Sequence, residues 1–308
     1  MNIVRNIKEK RSKGKVGKGS RKLRIREKLN SMLWLAPSFL GVSIFYIVPF
    51  GVILYYSMID SPLRRNFVFL DNFKALFRND AFQAAAKNTI SFSVVAVPLA
   101  VILALLLALL LEARIPLKSQ FRTFFLSPLM VPVASIVLIW RVLFDYNGAI
   151  NEVLAYFDIG KIDWIQSQYN QVVIAVLYLW KTLGYNMILF MAALSNIPRE
   201  LLEVADVEGA SPINKFFSIK LRYLSPTILF VTILSLISSF KVFREIYLLT
   251  GSYPVGRLYM LQHFMNNIFR NLDYQRLASA AIVMAVAMVI IIAILFVAEN
   301  YFGKDVEG

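Results

Sequence analysis

Cysteine is absent from the whole 308-residue chain, which excludes disulfides, thiolate metal sites and thiol nucleophiles together. Histidine occurs once, at His263, with no second metal ligand at a useful spacing, so it reads as a loop or packing residue. Charge is also scarce. Asp, Glu, Lys and Arg make up 17% of the residues, against about a quarter in soluble domains. No phosphate-binding glycine loop is present either. The nearest string, "GKVGKGS" at Gly14–Ser20, has the wrong glycine spacing and follows no strand, so the chain carries no nucleotide site of its own. Asp145, Asp158 and Asp163 fall in a connection too long to position paired carboxylates, which makes a glycosidase site a poor reading.

What fills the space is apolar. Hydrophobic residues account for 58% of the chain and the mean hydropathy is +0.62, a membrane-protein balance. Lipid offers no partner to an exposed backbone group, so a span needs roughly 20 mostly apolar helical residues. Six stretches qualify: 33–59, 88–111, 122–143, 172–194, 223–249 and 277–298. The second ends in "LALLLALLL", and the sixth carries no charge at all. The expected fold class is therefore an all-α membrane protein of six transmembrane helices. The two halves show no hydropathy symmetry of the inverted-repeat kind, which weighs against a secondary transporter.

Basic residues set the orientation. Twelve of the 33 Lys and Arg lie in the first thirty residues, which have no hydrophobic periodicity and read as a basic tail rather than a cleaved signal. Placing that tail, Arg114, Lys118 and Arg122, the 196–222 segment and the 301–308 tail in the cytoplasm puts twenty basic residues inside and nine outside. Both termini are then cytoplasmic. The tail, directly followed by a span, is matched to anionic lipid headgroups rather than to nucleic acid.

One charged interlude interrupts the apolar chain: "PRELLEVADVEGASPINKFFSIKLRYLSP", Pro198 to Pro226. Pro198 suits a first helical turn and Glu200 its positive end. Gly209 falls where a helix ends in the left-handed region, and Ser211 with Pro212 signals a second start. The segment thus reads as short helix, glycine bend, short helix, with Glu203, Asp206 and Glu208 turned to the cytoplasm. Physics alone leaves two readings open, a rigid lever or an amphipathic connector resting at the headgroups.

The interlude resembles the cytoplasmic EAA loop of permease subunits in bacterial ABC importers. Glu203, Ala205, Gly209 and Ala210 match that pattern, Glu208 replaces its aspartate, and Ile219, Leu221 and Pro226 follow at matching spacing. Val204 and Arg222 depart from it, Arg222 standing where a proline is usual. Segments such as "RTFFLSPLMVPVASIVLIWRVLF" and "LWKTLGYNMILFMAALSNIPRELLEVA" are similar to the carbohydrate branch of the family, with coverage from about Leu33 to Ala298. The resemblance implies the type I importer permease fold in a bacterial cell membrane, with no enzymatic activity in this chain. ATP and Mg would belong to a pair of ATP-binding subunits. Other implied partners are a second homologous permease, an extracytoplasmic solute-binding protein and a sugar or oligosaccharide substrate. Glu203, Ala205, Asp206, Glu208, Gly209, Ala210 and Phe216 would carry the coupling to the ATPase.

Intramembrane polar groups are expensive and point to a substrate path. Candidates are Lys181 and Asn186 in the fourth stretch and Lys241, Arg244 and Glu245 in the fifth, with Trp180, Phe240, Phe243 and Tyr247 as stacking surfaces. Snorkelling and simple ion pairing are the competing readings. "TGSYPVG", Thr250 to Gly256, is a turn-rich outer loop that fits either a binding-protein contact or a plain connection. Related loops occur in importers for polyamines, thiamine and iron. A non-sugar solute such as glycerol phosphate, or an ATP-independent secondary transporter, therefore stands as the alternative.

Overall fold

The computed structural model describes residues 32–112 and 117–303, with side chains to residue 301. The basic tail, Arg114 and the last five residues fall outside that range. The chain divides into two units, residues 1–56 and 57–308. The described part of the first belongs to one helix, α1 (Met32–Ser57). Pro49 cannot donate to the carbonyl four residues back. Ahead of it α1 widens into a π turn, Ser43–Ile47, where the Val48 N–H reaches the Ser43 carbonyl.

The second unit is helical, and its described residues hold only one isolated bridge, between Ile59 and Phe67. Its helices are α2 (Asp71–Phe77), α3 (Asp80–Glu112), α4 (Lys118–Met130), α5 (Val133–Leu143) and α6 (Ala149–Tyr156). After these come α7 (Asn170–Ser195), α8 (Arg199–Val207), α9 (Pro212–Lys215), α10 (Leu221–Lys241), α11 (Phe243–Thr250), α12 (Leu261–Arg270) and α13 (Tyr274–Gly303). Among the described residues, five helical runs are long and apolar enough to cross a membrane: α1, α3, α7, the run Pro212–Thr250, and Tyr274–Tyr301 within α13.

The third expected span is different. It is not one rod but two helices, α4 and α5, meeting at 104°. Proline disfavours helical geometry in the residue before it. Val131 accordingly sits at φ −88°, ψ 127° ahead of Pro132, and the run breaks there.

The centre of the unit is the pair α3 and α7, with α10 packed on both. Their contact depends on small side chains. Ala96, Ala100, Ala104 and Ala108 recur every fourth residue on one face of α3, and all are fully or almost fully buried. Such a stripe lets helix backbones approach closely, which replaces the hydrophobic drive missing inside lipid. Gly184 of α7 does the same for α4. A Cβ built there would lie 1.9 Å from the Phe125 carbonyl oxygen. Around these contacts sit two apolar clusters. One is centred on Met187, Phe190, Leu194 and Leu224, the other on Ile174, Tyr178, Ile246 and Leu258.

Three polar contacts cross the centre and were not legible as pairs beforehand. Ser93 and Ser239 share a 2.9 Å hydrogen bond, Asn186 donates to Ser235 Oγ at 2.8 Å, and Tyr178 donates to the Ser235 carbonyl at 2.7 Å. Each satisfies groups that would otherwise cost several kcal/mol in hydrocarbon.

Candidate functional site: a braced hairpin and a charged cleft

The hairpin begins where α7 ends. Pro198 precedes α8, and Glu200 lies in its first turn. At the other end Glu208 caps the helix and Gly209 turns left-handed at φ +75°. The Ala210 N–H then reaches the Ala205 carbonyl at 2.9 Å and the Gly209 N–H reaches the Asp206 carbonyl at 3.1 Å. These are the two bonds of a Schellman motif, and they consume carbonyls that a frayed end would leave open. Ser211 follows as N-cap, its hydroxyl accepting from the Asn214 N–H at 3.2 Å, with Pro212 in the first turn. A π turn, Phe216–Lys220, then leads into α10.

Two ion pairs brace this shape. Lys215 Nζ lies 2.5 Å from Asp206 Oδ1 and joins the arms. Lys220 Nζ lies 2.6 Å from Glu112 Oε2 and joins the second arm to the end of α3. Asp206 was expected to be free for a partner; its carboxylate is shared with Lys215 while remaining largely exposed. Leu202 and Ile219 pack against the Phe190–Leu224 cluster, and Ala205 is buried. Glu203, Glu208 and Gly209 face outward, together with apolar Val204, Val207, Ile213 and Phe217. Val207 is 90% exposed, high for an aliphatic residue on an otherwise braced element. Ala210 and Phe216 are half-buried, and Phe216 lines a shallow groove of about 380 Å³ beside the second arm with Leu109, Ile213 and Phe217.

The second candidate site lies where α10 gives way to α11. Lys181 of α7 and Glu245 of α11 form an ion pair, Glu245 being only 3% exposed. Together with Lys241, Arg244 and Ser238 they line a cleft of about 240 Å³. Of the expected path residues, Lys181, Lys241, Arg244 and Glu245 come together here. Asn186 is buried outside the cleft against Ser235. Trp180 packs at a tilt against Trp140, ring centroids 5.1 Å apart, and Phe240 is half-buried elsewhere. Tyr247 meets Phe243 at 5.5 Å and lines a separate cleft of about 580 Å³.

That larger cleft joins Arg141, Asp145 and Asp163 to the 251–255 turn. Both aspartates line this cleft, and both cap turns: Asp145 accepts from the Asn147 N–H and Asp163 from the Gln166 N–H. The loop they belong to is ordered by Asn151, fully buried, which bonds the Tyr146 and Ile162 carbonyls, the Ile162 N–H and the Trp164 indole. The turn-rich segment after α11 is equally fixed. Asn88 donates to the Tyr259 carbonyl, Asn170 to that of Val255 and Asn267 to that of Ser252. His263 is a packing residue within α12, its ring 4.6 Å from that of Phe243.

Residues 89–308 match the family described as the binding-protein-dependent transport system inner membrane component. The chain belongs to this family. It is thus a multi-pass protein of the cytoplasmic membrane and a permease subunit of an ABC importer, not an enzyme. It is 32% identical to the sn-glycerol-3-phosphate transport system permease protein UgpA of Escherichia coli, over 89% of this chain and 94% of that one. It is 29% identical to the trehalose/maltose transport system permease protein MalF of Thermococcus litoralis, over 92% and 98%. The fold matches a chain in the crystal structure of a bacterial ABC transporter that imports the acidic polysaccharide alginate. The TM-score is 0.77 at 20% identity, covering 92% of this chain and all of that one.

Proposed function

We propose that this permease carries a sugar, oligosaccharide or related polyol across the membrane, and that an ATPase drives it through the 196–222 hairpin. The observation that carries the coupling role is the bracing of that hairpin. Its bend is closed by two Schellman bonds, its arms by Lys215–Asp206, and its base by Lys220–Glu112. A part held at both ends in this way passes a push to the spans, whereas a loose loop absorbs it. The outward face offers Glu203 and Glu208 for basic groups of an ATP-binding subunit and Val204 and Val207 for a hydrophobic groove.

In this reading ATP and Mg reside in a pair of partner subunits. Nucleotide-driven closure moves the hairpin, and the population shifts between inward- and outward-facing arrangements. A second homologous permease completes the pathway, and an extracytoplasmic binding protein delivers the solute against the ordered outer loops. The basic-residue count supports the hairpin end as cytoplasmic. The carbohydrate class rests on relatives named for trehalose/maltose and for sn-glycerol-3-phosphate transport.

The test is reconstitution. The chain co-purified with its partner subunits and placed in lipid vesicles should take up solute only with ATP inside and binding protein outside. Uptake at full rate by this chain alone, without any ATP-hydrolysing companion, would sink the proposal.

A further inference from the structure

We infer that the cleft between α7 and the α10–α11 junction selects an anionic cargo: a sugar or polyol bearing a carboxylate, sulfonate or phosphate. The inference rests on the importer reading above and narrows its substrate class. Three cations and one carboxylate line this cleft. Lys181 and Glu245 neutralise each other. Lys241 and Arg244 form no ion pair among the described residues, and both are exposed. They stand three residues apart, and both line the cleft.

With Lys181 and Glu245 cancelling each other, these two exposed cations leave the cleft net positive, a field that attracts an anion. Arg and Lys together suit an oxyanion, Arg as a planar two-pronged donor and Lys as a point charge. The same cleft holds one acceptor without a partner. That acceptor, Glu245 Oε2, is enclosed by protein and makes no hydrogen bond.

What the cleft lacks favours the same cargo. Neutral sugars are commonly held by aromatic faces, and the aromatic side chain here is Tyr178, whose hydroxyl is committed to the Ser235 carbonyl. Trp180 and Phe240 lie outside the lining. At about 240 Å³ the space falls just below the range of about 300–1,000 Å³ for drug-sized ligands, so it holds a short polyol or one ring of a longer sugar at a time.

The experiment uses the full transporter, permease pair, ATP-binding subunits and binding protein, in lipid vesicles. The probes are maltose, a uronic-acid disaccharide and glycerol 3-phosphate. ATP-dependent uptake is expected for an acidic probe and not for maltose. Lys241→Gln and Arg244→Gln should each raise the KM for the acidic probe about tenfold, while Lys241→Arg should restore it. Co-elution of each variant with the partner subunits separates these effects from failed assembly. Maltose uptake that neither substitution changes would overturn the inference and leave the importer intact. Substitutions that release the second permease on gel filtration would overturn it too, because the missing anion would then be a side chain of that subunit. Absence of ATP-driven uptake for every probe would overturn both the inference and the importer reading.

Discussion

Lys220 and Glu112, 108 positions apart in the chain, meet at 2.6 Å and fasten the second arm of the hairpin to the end of α3. Both side chains are partly exposed, so the pair contributes at most about 1 kcal/mol to stability. Its value lies in direction. Lys220→Gln should leave the protein's melting temperature within a few degrees of the parent. The solute moved per ATP hydrolysed in the reconstituted transporter should fall by about half or more. An unchanged ratio would show that the hairpin is anchored well enough by Leu202 and Ile219.

Gly209 sits at φ +75° with open space around it, so a side chain there meets strain rather than a clash. The left-handed conformation costs a non-glycine residue about 1–2 kcal/mol. Gly209→Asp should therefore distort the bend, abolish solute-stimulated ATP hydrolysis and still permit assembly. Normal uptake and hydrolysis in this variant would remove the hairpin from the coupling route.

At Gly184 the opposite holds. An added methyl would overlap the Phe125 backbone, so α4 or α7 must shift. Gly184→Ala should lower stability by roughly 1–3 kcal/mol, read as a depressed melting temperature in detergent, whereas Gly160→Ala, in open space, should change nothing.

His263 gives a pH signature. It is fully buried, its Nδ1 accepts from the Met260 N–H, and burial pushes its pKa down from 6.5 to about 4. The unfolded chain thus binds a proton that the folded one refuses between these values. The His263 contribution to stability should be fully present above about pH 6.5 and be lost as pH falls towards 4, by roughly 3 kcal/mol over the whole window. His263→Gln should flatten that part of the melting-temperature profile. A profile of the same slope in the variant would assign the effect to other groups.

Much of this architecture could be read from pattern because spans and caps are local. Pro198, Gly209, Ser211 and Pro212 mark their own positions in a helix, and the hairpin formed where they put it. The break at Val131–Pro132 is equally local, but the apolar run on both sides of it masks the signal. The ion pairs could not be foreseen. Lys215–Asp206, Lys220–Glu112 and Lys181–Glu245 each depend on how separate helices pack, and no spacing rule connects 112 to 220 or 181 to 245. For the same reason Asn186 resembled a lining residue until the position of Ser235 was known.

The alanines on α3 carry a mechanical corollary. Side chains this small leave no soft layer between α3 and α7 to be squeezed, and interiors so tightly fitted are poorly compressible. The two helices behave as a single girder. A tilt imposed at the Lys220–Glu112 end would therefore be carried along the beam to Lys181, midway along α7.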